Sequence, residues 1–216
     1  MKKLILRIAK LFPKKLLKQF GFYPIDRYYI NKFLKDSFSL DGFPSHGTSL
    51  EFGEIRYSKF FAGTRYKWLY AKKFSIVDSI VSGDILDNND IKIQFDLIIS
   101  TQVIPFVSTP ELYMEKVCDL LKPNGVLLLT SPGLGVFTSK YDAERWGDFG
   151  RYSMQTLTNL VPTGFKISSN RGYGNFNALR KLNNNVSAFR VRESILSHNE
   201  PNEEVVFGLI IKRDNA

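Results

Sequence analysis

The sequence has very few residues of the types that build disulfides and metal centres. It contains one cysteine, Cys118, and two histidines, His46 and His198. One thiol cannot form an internal disulfide or a cysteine zinc site, and neither histidine has a second ligand at metal-binding spacing. These absences exclude a disulfide scaffold, argue against a metal centre and suit a reducing, cytoplasmic compartment.

Long apolar runs and an even spread of positive charge are missing as well. No run is long enough to span a bilayer, and the composition is that of an ordinary soluble domain, 44% hydrophobic and 24% charged. Residues 1–36 hold ten basic and two acidic residues, a net charge of +8, whereas the rest holds twenty and nineteen, a net charge of +1. A nucleic-acid-binding domain would spread its basic residues over one face, so nucleic acid is not expected as a partner.

The positive charge is concentrated in the N-terminal segment MKKLILRIAKLFPKKLLKQF. Apolar residues three or four apart would share one side of a helix, and Pro13 would kink it. A basic amphipathic helix is typical of segments that lie on an anionic membrane surface, but it also suits a solvated helix packed on its own domain. We therefore predict an arm at 1–24 and one domain at 25–216. Two alternatives stay open for residues 1–20: contact with the inner face of the membrane, or packing on the domain.

Beyond the arm, short apolar runs alternate with amphipathic segments. The predicted strands are TSLEF, YKWLY, DSIVSGDI, FDLIIST, VLLLTSP, GFKISSN and EEVVFGLIIKR. Helices are predicted from about Asp26, which would act as N-cap, and at 109–121 and 153–161. This alternation indicates a parallel sheet with helices on both faces, which binds its ligands at the carboxyl ends of the strands.

The segment 109–121 has the signals of a helix that packs on the sheet. Thr109 is predicted as its N-cap and Pro110 as its first residue. The predicted inner side consists of Leu112, Met114, Val117, Leu120 and Leu121. Cys118 lies beside these residues and is expected in the core, not as a nucleophile.

Polar or glycine residues follow four of the predicted strands. They are Glu51, Gly53 and Glu54, then Gly83 and Asp84, then Ser100, Thr101 and Gln102, and finally the TSPG segment. A single glycine or aspartate after a strand is commonly only a turn. Four such ends on one edge of a sheet, where a glycine lets the backbone approach a ligand, indicate a ligand site.

The segment FDLIISTQVIPFVSTPELYMEKVCDLLKPNGVLLLTSPG resembles the second half of a class I S-adenosylmethionine-dependent methyltransferase. A wider pattern from about Tyr28 to Tyr173, including LEFGEIRYSKFF and RWGDFGRYS, resembles methyltransferase-like proteins associated with bacterial surface-glycan assembly. The resemblance implies a Rossmann-like α/β fold with a seven-stranded, mostly parallel sheet and S-adenosylmethionine as cofactor. The cofactor-binding residues that it implies are Glu51, Gly53, Glu54, Tyr57, Asp84, Ile85, Thr101 and Gln102.

Two cofactor contacts of that family are altered in this chain. Most members have three spaced glycines after an acidic residue at the first strand, whereas this loop reads EFGEIRY, with Ile55 and Arg56 in place of small residues. Most members also have an acidic residue after the second strand, where this chain has Ala71, Lys72 and Lys73. Both departures bear on whether the cofactor is bound.

The segment SKYDAERWGDFGRYS, 139–153, lacks the apolar period of a helix and is the candidate acceptor site. The predicted substrate-binding residues are Trp146, Arg151 and Tyr152. The first candidate for the catalytic base is Asp148, and the second is His46, in the loop before the first strand. The alternative interpretation is a surface loop with a buried tryptophan and a structural ion pair between Asp148 and Arg151.

The predicted function is methyl transfer from S-adenosylmethionine to a hydroxyl of a sugar, a glycan or another small acceptor, with Tyr173 and Asn175 over the site. The alternative is a catalytically inactive relative that serves as a scaffold in membrane-proximal glycan assembly. Methylation of a nucleic-acid base is disfavoured, because the fourth strand is followed by STQVIPF and not by an Asn/Asp-Pro-Pro-aromatic motif.

Overall fold

The computed structural model describes residues 22–39, 43–44, 46–52, 57, 65–68, 94–184 and 191–213. The predicted amphipathic helix at 1–20 and the predicted strand DSIVSGDI lie outside these residues. Within them, no helix is both long enough and apolar enough to cross a membrane.

The strands are β1 Phe22–Tyr23, β2 His46–Glu51, β3 Arg65–Trp68, β4 Phe95–Thr101, β5 Leu121–Pro132, β6 Phe165–Tyr173, β7 Val191–Arg192 and β8 Val206–Arg213. The helices are α1 Ile25–Phe38, α2 Pro110–Asp119, α3 Lys140–Trp146, α4 Met154–Asn159, α5 Phe176–Asn183 and α6 Glu193–Leu196, with a 3-10 turn at Ile104–Phe106. β1 pairs with β7, so Phe22 and Tyr23 belong to the folded domain and not to the arm.

The other six strands form one sheet in the order β3-β2-β4-β5-β8-β6. β2, β3, β4 and β5 are parallel to one another, and β8 pairs antiparallel with both β5 and β6. Of these six strands, β8 alone therefore runs in the opposite direction. This confirms a mostly parallel sheet, whereas the predicted count of seven strands depends on residues outside the described ranges.

Alternating residues of β4 pack into two cores, one on each face of the sheet. Ile98 joins the cluster formed with α2, including Tyr113 and Val117. Leu97 and Ile99 join the cluster formed with α1, α5 and α6. Because successive residues of a strand point to opposite faces, a strand with consecutive apolar residues needs helices on both sides, as the sequence predicted.

Two details of the predicted helices are wrong. Asp26 is not the N-cap of α1; Pro24 holds that position and Asp26 lies in the first turn, where its charge favours the helix dipole. In α2, Thr109 is the N-cap residue, although its side chain makes no capping hydrogen bond. Leu112 is exposed instead of inward, whereas Tyr113, which was not predicted there, is buried. Cys118 is buried, which confirms it as core.

Asp96 joins three neighbouring strands at the amino edge of the sheet. Its Oδ2 accepts hydrogen bonds from the Thr48 backbone N–H at 2.7 Å and from Lys122 Nζ at 2.8 Å. The close approach requires glycine at position 47, because a Cβ there would lie 2.2 Å from the same oxygen. His46 was predicted to lie in a loop before the first strand. It is instead the first residue of β2.

We expect Asp96→Asn to destabilise the fold at neutral pH and much less in acid. Burial raises the pKa of Asp96, but the hydrogen bonds from Lys122 and Thr48 outweigh it, so the folded-state pKa lies below the ordinary value. A depressed pKa stabilises the protein above the unfolded value of about 3.9 and loses that contribution as the pH falls through the folded pKa.

Urea unfolding at pH 7 should show a loss of roughly 1 kcal/mol for Asp96→Asn relative to the native chain. This difference should shrink below about pH 4. Asp119→Asn, at an exposed residue of α2, is the matched control and should show no such pH-dependent difference. A difference that is the same at both pH values would contradict the role assigned to Asp96.

Candidate functional site

The carboxyl ends of β2, β4 and β5 lie side by side at one edge of the sheet, because these strands are parallel neighbours. Glu51, Thr101 and Pro132 are their last residues. β3, the next strand in the chain, pairs with one side of β2, and β4 pairs with its other side. The strand order therefore changes direction between β2 and β4, which is where open α/β sheets bind their ligands.

The loop after β2 is anchored by the strand's own last side chain. The Glu51 carboxylate is buried, with a relative exposure of 1%, and its Oε2 accepts a hydrogen bond from the Tyr57 backbone N–H at 3.3 Å. Gly53 and Glu54, both predicted to contact a cofactor, lie between these anchors but outside the described residues. Glu51 therefore holds the two ends of this loop together, and we call this contact the Glu51–Tyr57 bridge.

Tyr57 also connects the loop to two other elements. Its hydroxyl accepts a hydrogen bond from Arg27 Nη1 of α1 at 2.5 Å and shares another with the Thr101 side chain at the end of β4. Burial raises the pKa of this hydroxyl, and the Arg27 charge opposes that shift without cancelling it. Tyr57 is thus a neutral, buried residue that fixes the loop. No pattern in the sequence indicates the part played by Arg27.

Gln102 follows β4 in a backbone conformation that is uncommon for a residue with a side chain. Its φ is 60°, in the left-handed region that costs a non-glycine residue about 1 kcal/mol or more. The Gln102 backbone N–H donates to the Thr130 carbonyl at 2.9 Å, and Gln102 Nε2 donates to Thr130 Oγ1 at 3.3 Å. Neighbouring β5 therefore holds a strained turn at this edge, with Thr101 and Gln102 half-buried.

The segment after β5 contains a helix that the sequence pattern does not predict. Ser139 is the N-cap of α3, and its Oγ accepts a hydrogen bond from the Asp142 backbone N–H at 3.1 Å. None of the seven residues of α3 is buried. A helix that buries no residue needs no apolar stripe, which is why the segment 139–153 lacks that period.

Asp148 and Arg151 form a structural pair. Arg151 Nη1 donates to Asp148 Oδ1 at 2.6 Å, and Arg151 Nε donates to the Val136 carbonyl at 2.9 Å. Thr138 Oγ1 donates to Asp148 Oδ1 at 3.0 Å. Burial raises the pKa of Asp148, but the hydrogen bonds from Arg151 and Thr138 outweigh it and bring the pKa below its ordinary value. Asp148 is therefore a weaker base than an ordinary aspartate. The ion pair of the alternative interpretation is present, and a contact of Asp148 with an acceptor stays a prediction.

The predicted substrate-binding side chains do not form one open surface. The Arg145 guanidinium lies 4.3 Å from the Trp146 ring centroid and covers one face of that ring. Arg151 is engaged by Asp148 and backbone carbonyls. Tyr152 packs in the α2-side core, where burial raises the pKa of its hydroxyl. Trp146 is half-buried, so the predicted buried tryptophan is also wrong.

Three other predicted residues lie away from the carboxyl edge or are buried. His46 begins β2, about 17 Å of strand from Glu51, so it lies at the opposite edge of the sheet. Tyr173 is buried and donates its hydroxyl hydrogen bond to Asp36. Asn175 caps α5 and donates to the Ile195 and His198 carbonyls. Tyr173 and Asn175 therefore support the fold and do not cover a site.

Asp84 and Ile85 lie outside the described residues, so their predicted contact with a cofactor stays a prediction. Among the residues that the structure describes, no group of three or more histidine, cysteine, aspartate or glutamate side chains could hold a metal ion. Cys118 is not available as a nucleophile, since burial raises the pKa of its thiol to about 12.

No protein-family model matches the sequence, and no curated protein matches it. The fold, however, is similar to solved structures of methyltransferases. A proposed sarcosine dimethylglycine methyltransferase from Galdieria sulphuraria superposes with a TM-score of 0.53 at 11% identity, covering 87% of this chain and 86% of that one. An S-adenosylmethionine-dependent methyltransferase from Mesorhizobium loti gives 0.50 at 11% identity, covering 83% and 95%. The N-methyltransferase NodS from Bradyrhizobium japonicum, in complex with S-adenosyl-L-homocysteine, gives 0.50 at 11%, covering 89% of each chain.

These identities establish a shared fold and nothing finer. The methyltransferase fold implied by the sequence resemblance is thereby confirmed. The glycan-assembly subgroup remains a prediction.

Proposed function

We propose that the chain is an S-adenosylmethionine-dependent methyltransferase that methylates a hydroxyl of a sugar, a glycan or another small acceptor. The observation that carries the proposal is the sheet order β3-β2-β4-β5-β8-β6 with β8 reversed, in a fold similar over most of the chain to methyltransferases. The reversal of strand order between β2 and β4 supplies a crevice at their carboxyl ends.

The described residues at this crevice anchor both ends of the first loop, a feature that suits a cofactor and that the sequence alone left open. The Glu51–Tyr57 bridge and the hydroxyl contacts of Tyr57 define both ends of the first loop, although the loop lacks the usual glycines. The proposed cofactor contacts are Gly53, Glu54, Asp84 and Ile85, along with Thr101 and Gln102 at the end of β4. The anchored ends of the first loop support binding of a cofactor at this edge.

The cofactor would supply a methyl group bonded to a positively charged sulfur. The protein then has to align the acceptor oxygen with that methyl group, and alignment alone can supply much of the rate of such a displacement. A carboxylate with a lowered pKa, such as Asp148, suits orientation of the acceptor hydroxyl better than strong proton abstraction. The half-buried ring of Trp146 is proposed to contact the acceptor on the face that Arg145 leaves uncovered.

A non-catalytic scaffold was the alternative suggested by the altered first loop and by Ala71, Lys72 and Lys73. No observation of the fold or of the comparisons favours it. The missing ribose-binding acid predicts weaker cofactor binding than in relatives that have it, and not the loss of binding.

We expect isothermal titration calorimetry of the full chain to show binding of S-adenosylmethionine and of S-adenosylhomocysteine, with dissociation constants on the order of micromolar to millimolar. Gly53→Val and Asp84→Ala should each weaken both at least tenfold, because they alter the loop and a proposed ligand contact. Asp119→Ala, at an exposed residue that ends α2 before the start of β5, serves as a control and should bind as the native chain does. No heat from either compound at millimolar concentration would remove the proposal.

A further inference from the structure

One buried tyrosine joins three elements at the edge where the cofactor crevice is proposed. Tyr57 is 3% exposed, and its backbone N–H donates to the Glu51 carboxylate at the end of β2. Its hydroxyl contacts Arg27 of α1 and the Thr101 side chain at the end of β4. The backbone and the hydroxyl of this residue are therefore held by different parts of the fold.

The chemistry of these side chains gives the hydroxyl contacts a direction. An arginine side chain has donors and no acceptor, whereas a tyrosine hydroxyl accepts hydrogen bonds and also carries one proton. Arg27 Nη1 donates to the Tyr57 oxygen at 2.5 Å, so the tyrosine proton stays available to the Thr101 oxygen. A phenylalanine at position 57 would remove the partner that Arg27 and Thr101 share.

Arg27 lies on a rigid part of the molecule. It belongs to the first turn of α1, beside Tyr29 and Ile30, which are both fully buried. Asn175 donates to the Tyr29 hydroxyl at 3.3 Å, which ties α1 to the start of α5. Asp26 Oδ2 lies 3.5 Å from Arg27 Nε. A partly exposed pair of this kind adds little stability, but it limits the directions in which the guanidinium can point.

The start of α1 is held by the segment 191–196. β1 directly precedes α1 and pairs with β7. The Tyr28 hydroxyl donates to Glu193 Oε1 of α6 at 3.5 Å, and Leu196 of α6 is fully buried in the same core as α1. The position of Arg27 is thus set by contacts between distant parts of the chain and not by the loop after β2.

We propose that Arg27 is a positioning residue of the cofactor crevice. From the start of α1 it holds the Tyr57 hydroxyl against the end of β4, and so fixes where the chain after β2 meets that strand. A site with this geometry already set has less conformational freedom to lose when a ligand binds. The effect on a cofactor rests on the proposed function, whereas the positioning of Tyr57 does not.

A positioning role and a purely structural role differ in what they change. If the contact between Arg27 and Tyr57 raises the affinity for the cofactor, the bound cofactor strengthens that contact by the same factor. A residue that serves the fold alone lowers the stability when it is replaced and leaves the affinity of the folded protein unchanged. Affinity measured on variants shown to be folded therefore separates the two roles.

The test is a double-mutant cycle on the binding of S-adenosylhomocysteine to the full chain, measured by calorimetry. Arg27→Met and Tyr57→Phe should each weaken binding about five- to tenfold. The double variant should bind about as well as the weaker single variant, because both substitutions remove the same hydrogen bond. Native affinity in folded Arg27→Met, or losses that simply add in the cycle, would overturn the proposal.

Two further variants make the test specific to this contact. Arg27→Lys keeps a charged donor and should recover most of the affinity lost in Arg27→Met. Lys35→Met removes an exposed basic residue in the last turn of the same helix and should bind as the native chain does. Equal losses in Arg27→Lys and Arg27→Met, or a loss in Lys35→Met as large as in Arg27→Met, would count against a positioning hydrogen bond.

Amide hydrogen exchange without any ligand gives a second readout. Arg27→Met should speed exchange of the Tyr57 N–H, which Glu51 holds in the native chain, and should leave the amides of β5 unchanged. Exchange at Tyr57 that stays at the native rate, or that rises equally in β5, would overturn the proposal. If the native chain binds no S-adenosylhomocysteine, the proposed function is removed, and the exchange rates alone decide whether Arg27 positions Tyr57.

Discussion

Replacing Glu51 with alanine is expected to weaken binding of S-adenosylmethionine by about 10- to 100-fold. The buried carboxylate accepts the Tyr57 backbone N–H, and hydrogen bonds to charged groups contribute about 1.5–3 kcal/mol. Without it, the two ends of the loop at 52–57 are no longer tied, and the cofactor must order the loop as it binds. Calorimetry on the variant, shown to be folded by circular dichroism, measures the loss.

Two matched variants make the expectation specific. Glu51→Gln keeps an oxygen that can accept the Tyr57 N–H and should lose less affinity than Glu51→Ala. Glu115→Ala removes an exposed carboxylate of α2 and should bind as the native chain does. Native affinity in folded Glu51→Ala would show that the bridge does not position the loop. Absence of binding in the native chain would instead remove the proposed function itself.

Replacing Phe33 with alanine is expected to cost about 3–5 kcal/mol of unfolding free energy. Phe33 is 2% exposed and packs edge-on against Tyr173, with the ring centroids 6.2 Å apart. It also lies directly over Gly208 in β8, where an added Cβ would approach the ring to 2.4 Å. Gly208→Ala alone should therefore cost about 1–3 kcal/mol through overpacking.

The two substitutions should not be additive, because each changes the same space. Once Phe33→Ala has emptied that space, the methyl group of Gly208→Ala no longer meets the ring, so the double variant should be no less stable than Phe33→Ala. Urea unfolding of the four proteins measures the coupling. Phe38→Ala, on the exposed end of the same helix, should change the stability by less than about 1 kcal/mol. A strictly additive cycle would contradict the packing described.

The elements that bury continuous apolar stretches could be predicted from the sequence. β4 has the predicted bounds, because the three adjacent apolar residues Leu97, Ile98 and Ile99 between polar neighbours leave little choice of structure. α4 was also predicted, and Ser153 accepts from the Thr156 backbone N–H as a capping residue should. Leu112 was wrongly assigned to the inner side of α2. It lies in the first turn of the helix, where no preceding turn shows which face of the helix is buried.

The missed elements depend on contacts between distant residues. The start of β2 at His46 is fixed by Asp96, which follows Thr48 by 48 residues. The position of Tyr57 depends on Arg27, 30 residues before it. α3 buries nothing and shows no periodic pattern. Candidate site residues chosen by type, such as Arg151 and Tyr152, also make contacts within the protein, and polarity in a sequence does not distinguish such a contact from a ligand contact.

The position of β8 has a consequence for the order in which the protein can fold during synthesis. β8 lies between β5 and β6, and Leu209 pairs opposite Leu129, 80 residues earlier in the chain. β6 has no hydrogen-bonding partner in the described sheet other than β8, so it must wait on the ribosome until residues 206–213 have emerged. At about 5–20 residues per second, the 33 residues from the end of β6 to the start of β8 leave that edge unpaired for seconds. The polar and charged side chains along β6, with an alternating exposed pattern, keep this waiting strand soluble.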